Sequence, residues 1–168
     1  FAQYKKSAIT IFNKLLETHG LPNLVMIHSS LWAGGALGEI LNKNKIPFIL
    51  TEHLKEFLIP NGFSIFQKKI IQNTYSMASQ ILLSSSALKN VISNNFTIHK
   101  SKLNLLPNPV DENLFTLRNI PDSKPHFTIV CISLFRIEKR IDLVLESFHN
   151  LFHSGIKVKL KLIGDGPL

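Results

Sequence analysis

The residues best equipped for chemistry stand where short apolar runs stop. His28 follows Leu24-Val25-Met26-Ile27, and His53 follows Phe48-Ile49-Leu50 through Thr51 and Glu52. A histidine titrates near neutrality, so at the end of a strand it can bind an acceptor hydroxyl, shuttle a proton or hold a phosphate. It can equally serve as a structural residue bonded to a neighbouring loop. Glu52 either orients His53 or faces solvent. Adjacent strand residues point to opposite faces, so the two aim into one pocket only if the chain leaves the sheet between them. His53 is the preferred candidate because the apolar run has ended there.

The second group lies near the end of the chain. Lys139 and Arg140, with Arg136 one turn earlier, stand where the run Phe127 to Leu134 has ended and an amphipathic stretch begins. Helix N-termini bind anions through free N–H groups and the helix dipole. A cation placed there suits a diphosphate clamp, the alternative being a solvated charge cluster. Gly164-Asp165-Gly166-Pro167 reads as a tight turn with close backbone approach. No G-x-G-x-x-G opens a strand–helix unit, so the first fingerprint of a dinucleotide fold is absent from the sequence. Ser84 to Ser86 and Asn108 close two further apolar runs.

Elements able to position these residues follow from periodicity. Ala8, Ile11, Phe12, Leu15 and Leu16 make the stripe of a helix over 4–19, closed by Gly20 and Pro22. Strands are expected at 24–27, 48–50, 80–83 and 103–106. Helices are expected at 32–43, 63–77 and 86–93, and 54–62 reads as loop. Gly34, Gly35 and Gly38 lower helix propensity, which implies close packing against that face. Residues 116–126, with Pro121, Asp122, Ser123, Lys124 and Pro125, read as a linker. A strand over 127–134, a helix over 139–152 and a strand over 158–163 follow. Apolar strands alternating with helices predict α/β architecture with doubly wound parallel sheets. Ligands then bind beyond the carboxyl ends of the strands, where His28, Glu52, His53, Ser84 to Ser86, Asn108, the Arg136-to-Arg140 loop and Gly164 to Gly166 fall. The sequence predicts two domains, 1–120 and 121–168. Two strands are too few for a finished domain, so the second is expected to be truncated. Residue 1 is Phe, and the first domain is expected to lack its opening strand.

Composition narrows the partners. The chain has 168 residues, 45% of them hydrophobic, which suits a packed core. Its formal net charge of +8 favours anionic partners such as nucleotide phosphates or an acidic membrane surface. The densest basic groups are the pairs Lys5-Lys6, Lys68-Lys69 and Lys139-Arg140, which argues against a nucleic-acid arm. Cys131, the single cysteine, reads as a buried strand residue with no metal-ligand spacing and fits a reducing, cytoplasmic compartment. No apolar run reaches the roughly 18 residues of a membrane span, and no signal peptide is visible.

The order of motifs resembles glycosyltransferase family 4, of the two-Rossmann-domain (GT-B) class. The segments are Pro22 to His28, Trp32-Ala33-Gly34-Gly35, Thr51-Glu52-His53, Ser84 to Leu88, Pro107 to Asp111 with Leu114-Phe115, Glu138-Lys139, Ile141-Asp142 and Gly164 to Leu168. Each is common alone; their order over roughly 20–168 carries the likeness. The resemblance implies a retaining glycosyltransferase, hexosyltransferase-like, that moves a sugar from a nucleotide-sugar donor to a saccharide or lipid-linked acceptor. Polysaccharide biosynthesis is the expected setting. His53 matches the histidine near the reacting sugar, with His28 and Glu52 on the acceptor side. Lys139 matches the lysine that binds the donor diphosphate, and Gly164, Asp165 and Gly166 match the loop flanking the nucleotide. No metal or other cofactor is implied. Lipid-linked acceptors and the basic surface imply peripheral contact with the inner membrane face.

The sequence departs from the family at definite places. Ser133-Leu134 stand where Gly-Arg is usual; the usual arginine is missing, and Arg136 and Arg140 are the candidates to substitute for it. Arg140 occupies the position of the glycine that commonly follows the lysine, and Pro109 replaces that of Asn-Gly-Val-Asp. The paired-glutamate motif is expected beyond residue 168 and the opening glycine-rich loop before residue 1, so this stretch alone is expected to be inactive. Two rivals share the fold: a nucleotide-sugar epimerase or phosphorylase, and a non-catalytic nucleotide-sugar-binding or scaffold module.

Overall fold

The computed structural model describes residues 1–116 and 127–168. All but the first residue of the expected linker over 116–126, and with it the 120/121 boundary, lies outside the described residues. The chain forms two compact units, Phe1–Asp111 and Glu112–Leu168.

The first unit runs α1 (Ala2–His19), β1 (Val25–His28), α2 (Gly35–Lys43), β2 (Phe48–Glu52), α3 (Ile65–Met77), β3 (Gln80–Leu83), α4 (Ser86–Asn95) and β4 (Leu103–Leu105). Its sheet has the order β1-β2-β3-β4, with all neighbours parallel. Sequential order with right-handed crossovers carries α2, α3 and α4 to one face. The register agrees. Ile27, Leu50, Ile81 and Leu103 lie in one row across the sheet, and all four are buried with Ile71, Tyr75, Leu88 and Ile92 of the helices. The next row, His28, Thr51, Leu82 and Asn104, points to the opposite face.

Local sequence sets the helix limits. α3 begins after Ser64, two residues later than the apolar period implies. Ser64 and Gln67 form a reciprocal capping box: the Gln67 N–H donates to Ser64 Oγ at 3.3 Å, and the Ser64 N–H donates to Gln67 Oε1 at 2.8 Å. The expected helix over 32–43 is in fact two pieces, a π-helical turn at Ser29–Gly34 and then α2. The glycines there are explained by close packing. A Cβ at Gly34 would strike Thr74, and one at Gly35 would strike Ile70, both on α3. The expected loop over 54–62 contains a 3₁₀ turn at Lys55–Leu58.

The second unit comprises β5 (Phe127–Ile132), a 3₁₀ turn at Ile137–Lys139, α5 (Ile141–His153) and β6 (Val158–Ile163). β5 and β6 pair in parallel over their whole length. Val144, Phe148 and Leu151 of α5 share one cavity wall with Ile129 and Leu160 of the strands. Cys131 lies within β5 and is half-buried rather than buried. Among the described residues no helix is long and apolar enough to cross a membrane.

Candidate functional site

At the carboxyl end of the first sheet, His28 closes β1 and His53 follows β2. Their rings stack with centroids 5.7 Å apart and planes at 19°. Both side chains are exposed. The parallel register explains the pairing: His28 sits opposite Thr51, and His53 comes two residues later as the chain leaves the sheet.

The backbone just after His28 is unusual. Ser29 has φ of 76°, a left-handed conformation that a serine adopts only at a steric cost. Ser30, next in line, is held from two sides. Its N–H donates to Glu52 Oε1 at 2.7 Å, and its carbonyl accepts from Thr74 Oγ1 at 2.9 Å. The strain at Ser29 is thus tied to β2 and α3 through side chains. π-helical turns cluster at functional positions, and this one begins directly after His28.

Glu52 requires a correction. It does not face solvent. It is fully buried, on the helix side of β2, where Ser30 and the Tyr75 hydroxyl donate to it. Strand alternation sends Glu52 inward, while Thr51 shares the side of His28. Burial pushes the Glu52 carboxyl above the usual carboxylate range, and the donors, Ser30 first and then Tyr75, pull it part of the way back. Burial, and then the charge of Glu52, push the Tyr75 hydroxyl up in turn. Among the described residues Ser30 Oγ, Thr51 Oγ1 and Glu52 Oε2 are buried without a hydrogen-bond partner, so polar capacity is left unspent on both faces of the sheet end.

The other strand ends contribute less. Ser85 spends its hydroxyl capping α4, accepting from the Leu88 N–H at 3.2 Å. Asn108 is exposed after β4. A cavity of about 290 Å³ lies on the helical layer between Lys5, Glu39, Lys69 and Met77, away from the histidine pair.

In the second unit the two loops after β5 and β6 lie backbone against backbone. The Phe135 N–H donates to the Asp165 carbonyl at 2.8 Å, and the Ser133 N–H donates to the Ile163 carbonyl at 3.0 Å. Only glycine fits the facing positions. A Cβ at Gly164, where φ is 152°, would run into the Ser133 carbonyl, and one at Gly166 would run into the backbone of Phe135. Asp165 folds back so that Oδ1 accepts from the Gly166 N–H at 2.7 Å.

Lys139 ends the 3₁₀ turn rather than opening α5. Arg140 separates them, with φ 49° and ψ 49°. The Arg140 guanidinium grips Asp142, from Nε at 3.0 and 3.1 Å and from Nη2 at 2.7 Å. That fork holds the Asp142 carboxyl below its ordinary range and the guanidinium above its own. Lys139 and Arg136 are exposed, and neither is ion-paired among the described residues. Of the two candidate arginines, Arg140 is engaged by Asp142 and Arg136 is not ion-paired among the described residues.

Ser30, Thr74 and Tyr75 were not legible as site residues. Their partners lie 22 to 44 positions away in sequence, and nothing local marks them. The capping pattern at Ser64 and Gln67, by contrast, was open to a reader of the sequence.

No protein-family model matches the chain, and the comparison with curated proteins gives no match. Solved structures do match. The catalytic domain of starch synthase IV from Arabidopsis thaliana, bound to ADP and acarbose, superposes with a TM-score of 0.66 at 9% identity, over 98% of this chain and 46% of that one. Anabaena Alr3699/HepE in complex with UDP superposes with a TM-score of 0.61 at 14% identity, over 94% of this chain and 51% of that one. The chain thus spans about half the length of these structures. At such identities the likeness establishes the fold: Rossmann-like parallel α/β units of GT-B type, the class expected from the sequence.

Proposed function

We propose that the chain belongs to a retaining glycosyltransferase of family 4, hexosyltransferase-like, which moves a sugar from a nucleotide-sugar donor to a saccharide or lipid-linked acceptor. The observation that carries this reading is the second unit's loop pair. Arg136 and Lys139, in the loop whose start packs against the Gly164–Gly166 turn, carry no ion pair among the described residues. Cations beyond the carboxyl ends of parallel strands suit a diphosphate. The two structural neighbours hold ADP and UDP, which is consistent with a nucleotide on this fold.

In the reaction, departure of the nucleoside diphosphate builds negative charge on its phosphates while the sugar becomes oxocarbenium-like. Fixed cations stabilise that charge without reorganising. Lys139 acts electrostatically, with Arg136 beside it. His53 contacts the sugar or the acceptor, and His28, stacked on it, sets its ring plane. Glu52 acts on the acceptor side only through Ser30 and the turn it holds. The chemistry calls for no metal. The test is calorimetry of UDP, ADP and GDP against the chain and its Lys139→Ala variant. Saturable binding that the substitution weakens supports the reading. Equal binding by both proteins overturns the role of Lys139, and no binding of any diphosphate favours a non-catalytic scaffold.

A membrane-side acceptor has its own support. Ile65 is 90% exposed and Phe66 66% exposed at the start of α3, next to Lys68 and Lys69. Exposed apolar side chains flanked by lysines suit peripheral contact with anionic lipid at a cytoplasmic membrane face. Sedimentation with anionic but not zwitterionic vesicles, lost in Ile65→Ser/Phe66→Ser, would support this contact.

A further inference from the structure

The solvent side of α5 carries a row of polar residues that sugar transfer does not use. Asp142, Glu146, His149 and His153 recur at spacings of four, three and four, which aligns them along one face of the helix. All four are exposed, while Val144, Phe148 and Leu151 turn toward the strands. Asp142 is spent on Arg140. The histidines, one turn apart, already lie ring beside ring, with centroids 4.2 Å apart and planes at 55°.

We propose that His149 and His153 form a two-histidine chelate for a divalent transition-metal ion of the Cu²⁺, Ni²⁺ and Zn²⁺ group. Two imidazoles at i and i+4 on a helix are the spacing by which helical metal sites take two ligands from one face. Imidazole suits these metals, and the order of affinity places Cu²⁺ first. The helix fixes both ligands in advance, so little ordering cost is added on binding. Glu146, one turn before His149, adds negative charge to the same face, and His153 sits at the negative end of the helix dipole. Among the described residues no group of three or more His, Cys, Asp or Glu converges. The pair therefore supplies two ligands, and solvent completes the shell. The site is independent of the sugar-transfer reading.

The test is isothermal titration of CuCl₂, NiCl₂ and ZnCl₂ into the chain in a non-coordinating buffer. His149→Ala, His153→Ala and the double variant His28→Ala/His53→Ala are titrated in parallel, because the stacked pair of the first unit is the obvious competitor. One site is expected, tightest for Cu²⁺. Either single substitution on α5 should weaken it about tenfold or more, and the double variant should leave it unchanged. Both substitutions lie on the solvent face, and circular dichroism verifies that α5 still forms. Binding that survives both α5 substitutions, binding lost only in the double variant, or no heat up to about 1 mM metal would each overturn the proposal.

Discussion

Glu52→Gln should change how the stability of the first unit depends on pH. The wild-type carboxyl is fully buried, and burial raises it above its ordinary value of 4.5. Between 4.5 and that raised value, the unfolded chain has lost the proton while the folded chain still holds it. Fewer protons are bound in the unfolded state, so stability falls as pH rises. One proton gives a slope of about 1.4 kcal/mol per pH unit within that window. The glutamine keeps an acceptor for the Ser30 N–H but cannot ionise. The difference between variant and wild type should therefore open above pH 4.5 in favour of the variant, and stop growing once the folded carboxyl ionises. Glu52→Ala is the contrast, because it leaves the buried Ser30 N–H unpaired at a cost of about 1–3 kcal/mol at every pH. Urea denaturation followed by fluorescence of Trp32 suits the measurement. It is the single tryptophan and belongs to the π-helical turn that Glu52 secures. Subtracting wild type from variant removes the other titrating groups. If the two proteins keep a constant difference between about pH 4.5 and pH 8, the raised carboxyl is wrong.

Other expectations concern single contacts. Arg136→Ala should weaken nucleoside diphosphate binding more than Arg140→Ala does, because Asp142 already holds the Arg140 guanidinium; titration calorimetry showing the reverse order would reassign the clamp. Gly166→Ala should destabilise the second unit by about 1–3 kcal/mol, since the added methyl meets the Phe135 backbone; an unchanged urea midpoint would refute that packing. Ile71→Ala should cost the first unit about 2–5 kcal/mol, as Ile71 is fully buried in the core, and Trp32 fluorescence reports it.

Much of the fold was legible because parallel strands leave a plain signature. Phe48-Ile49-Leu50, after Pro47 and before Thr51, and Ile81-Leu82-Leu83, between Gln80 and Ser84, are short apolar runs, and both lie in the sheet. The histidines could be found because a strand end is a local event. That they stack could not, since it depends on the register between β1 and β2. Glu52 shows the limit most clearly. Its neighbour His53 drew it toward the site, but one step of strand alternation turned it to the opposite side, where its partners come from the turn after β1 and from α3. The split between the π-helical turn and α2 was equally hidden. The expected helix begins at 32, and the turn that precedes α2 is tied to distant residues, Glu52 and Thr74, through Ser30.

Arg140 bears on why the loop after β5 takes its shape. At φ 49° and ψ 49° it occupies backbone that costs most residues steric strain and costs glycine none. The resembled family commonly has glycine at this position, which makes the departure a substitution of charge into a left-handed site. Arg140 offsets the strain with a fork to Asp142, two residues on, at the first turn of α5. Its side chain is then held along the helix while Lys139, one residue earlier, stays exposed. The same residue that separates Lys139 from the helix thus removes itself as a competing cation. Arg140→Gly and Arg140→Ala separate the two effects. Glycine relieves the backbone and loses the fork; alanine loses the fork and keeps the strain. The glycine variant should therefore melt above the alanine variant by circular dichroism, with Lys139-dependent diphosphate binding intact in both. A glycine variant that melts below the alanine one would show that the left-handed turn carries no strain and that Arg140 stands there for another reason.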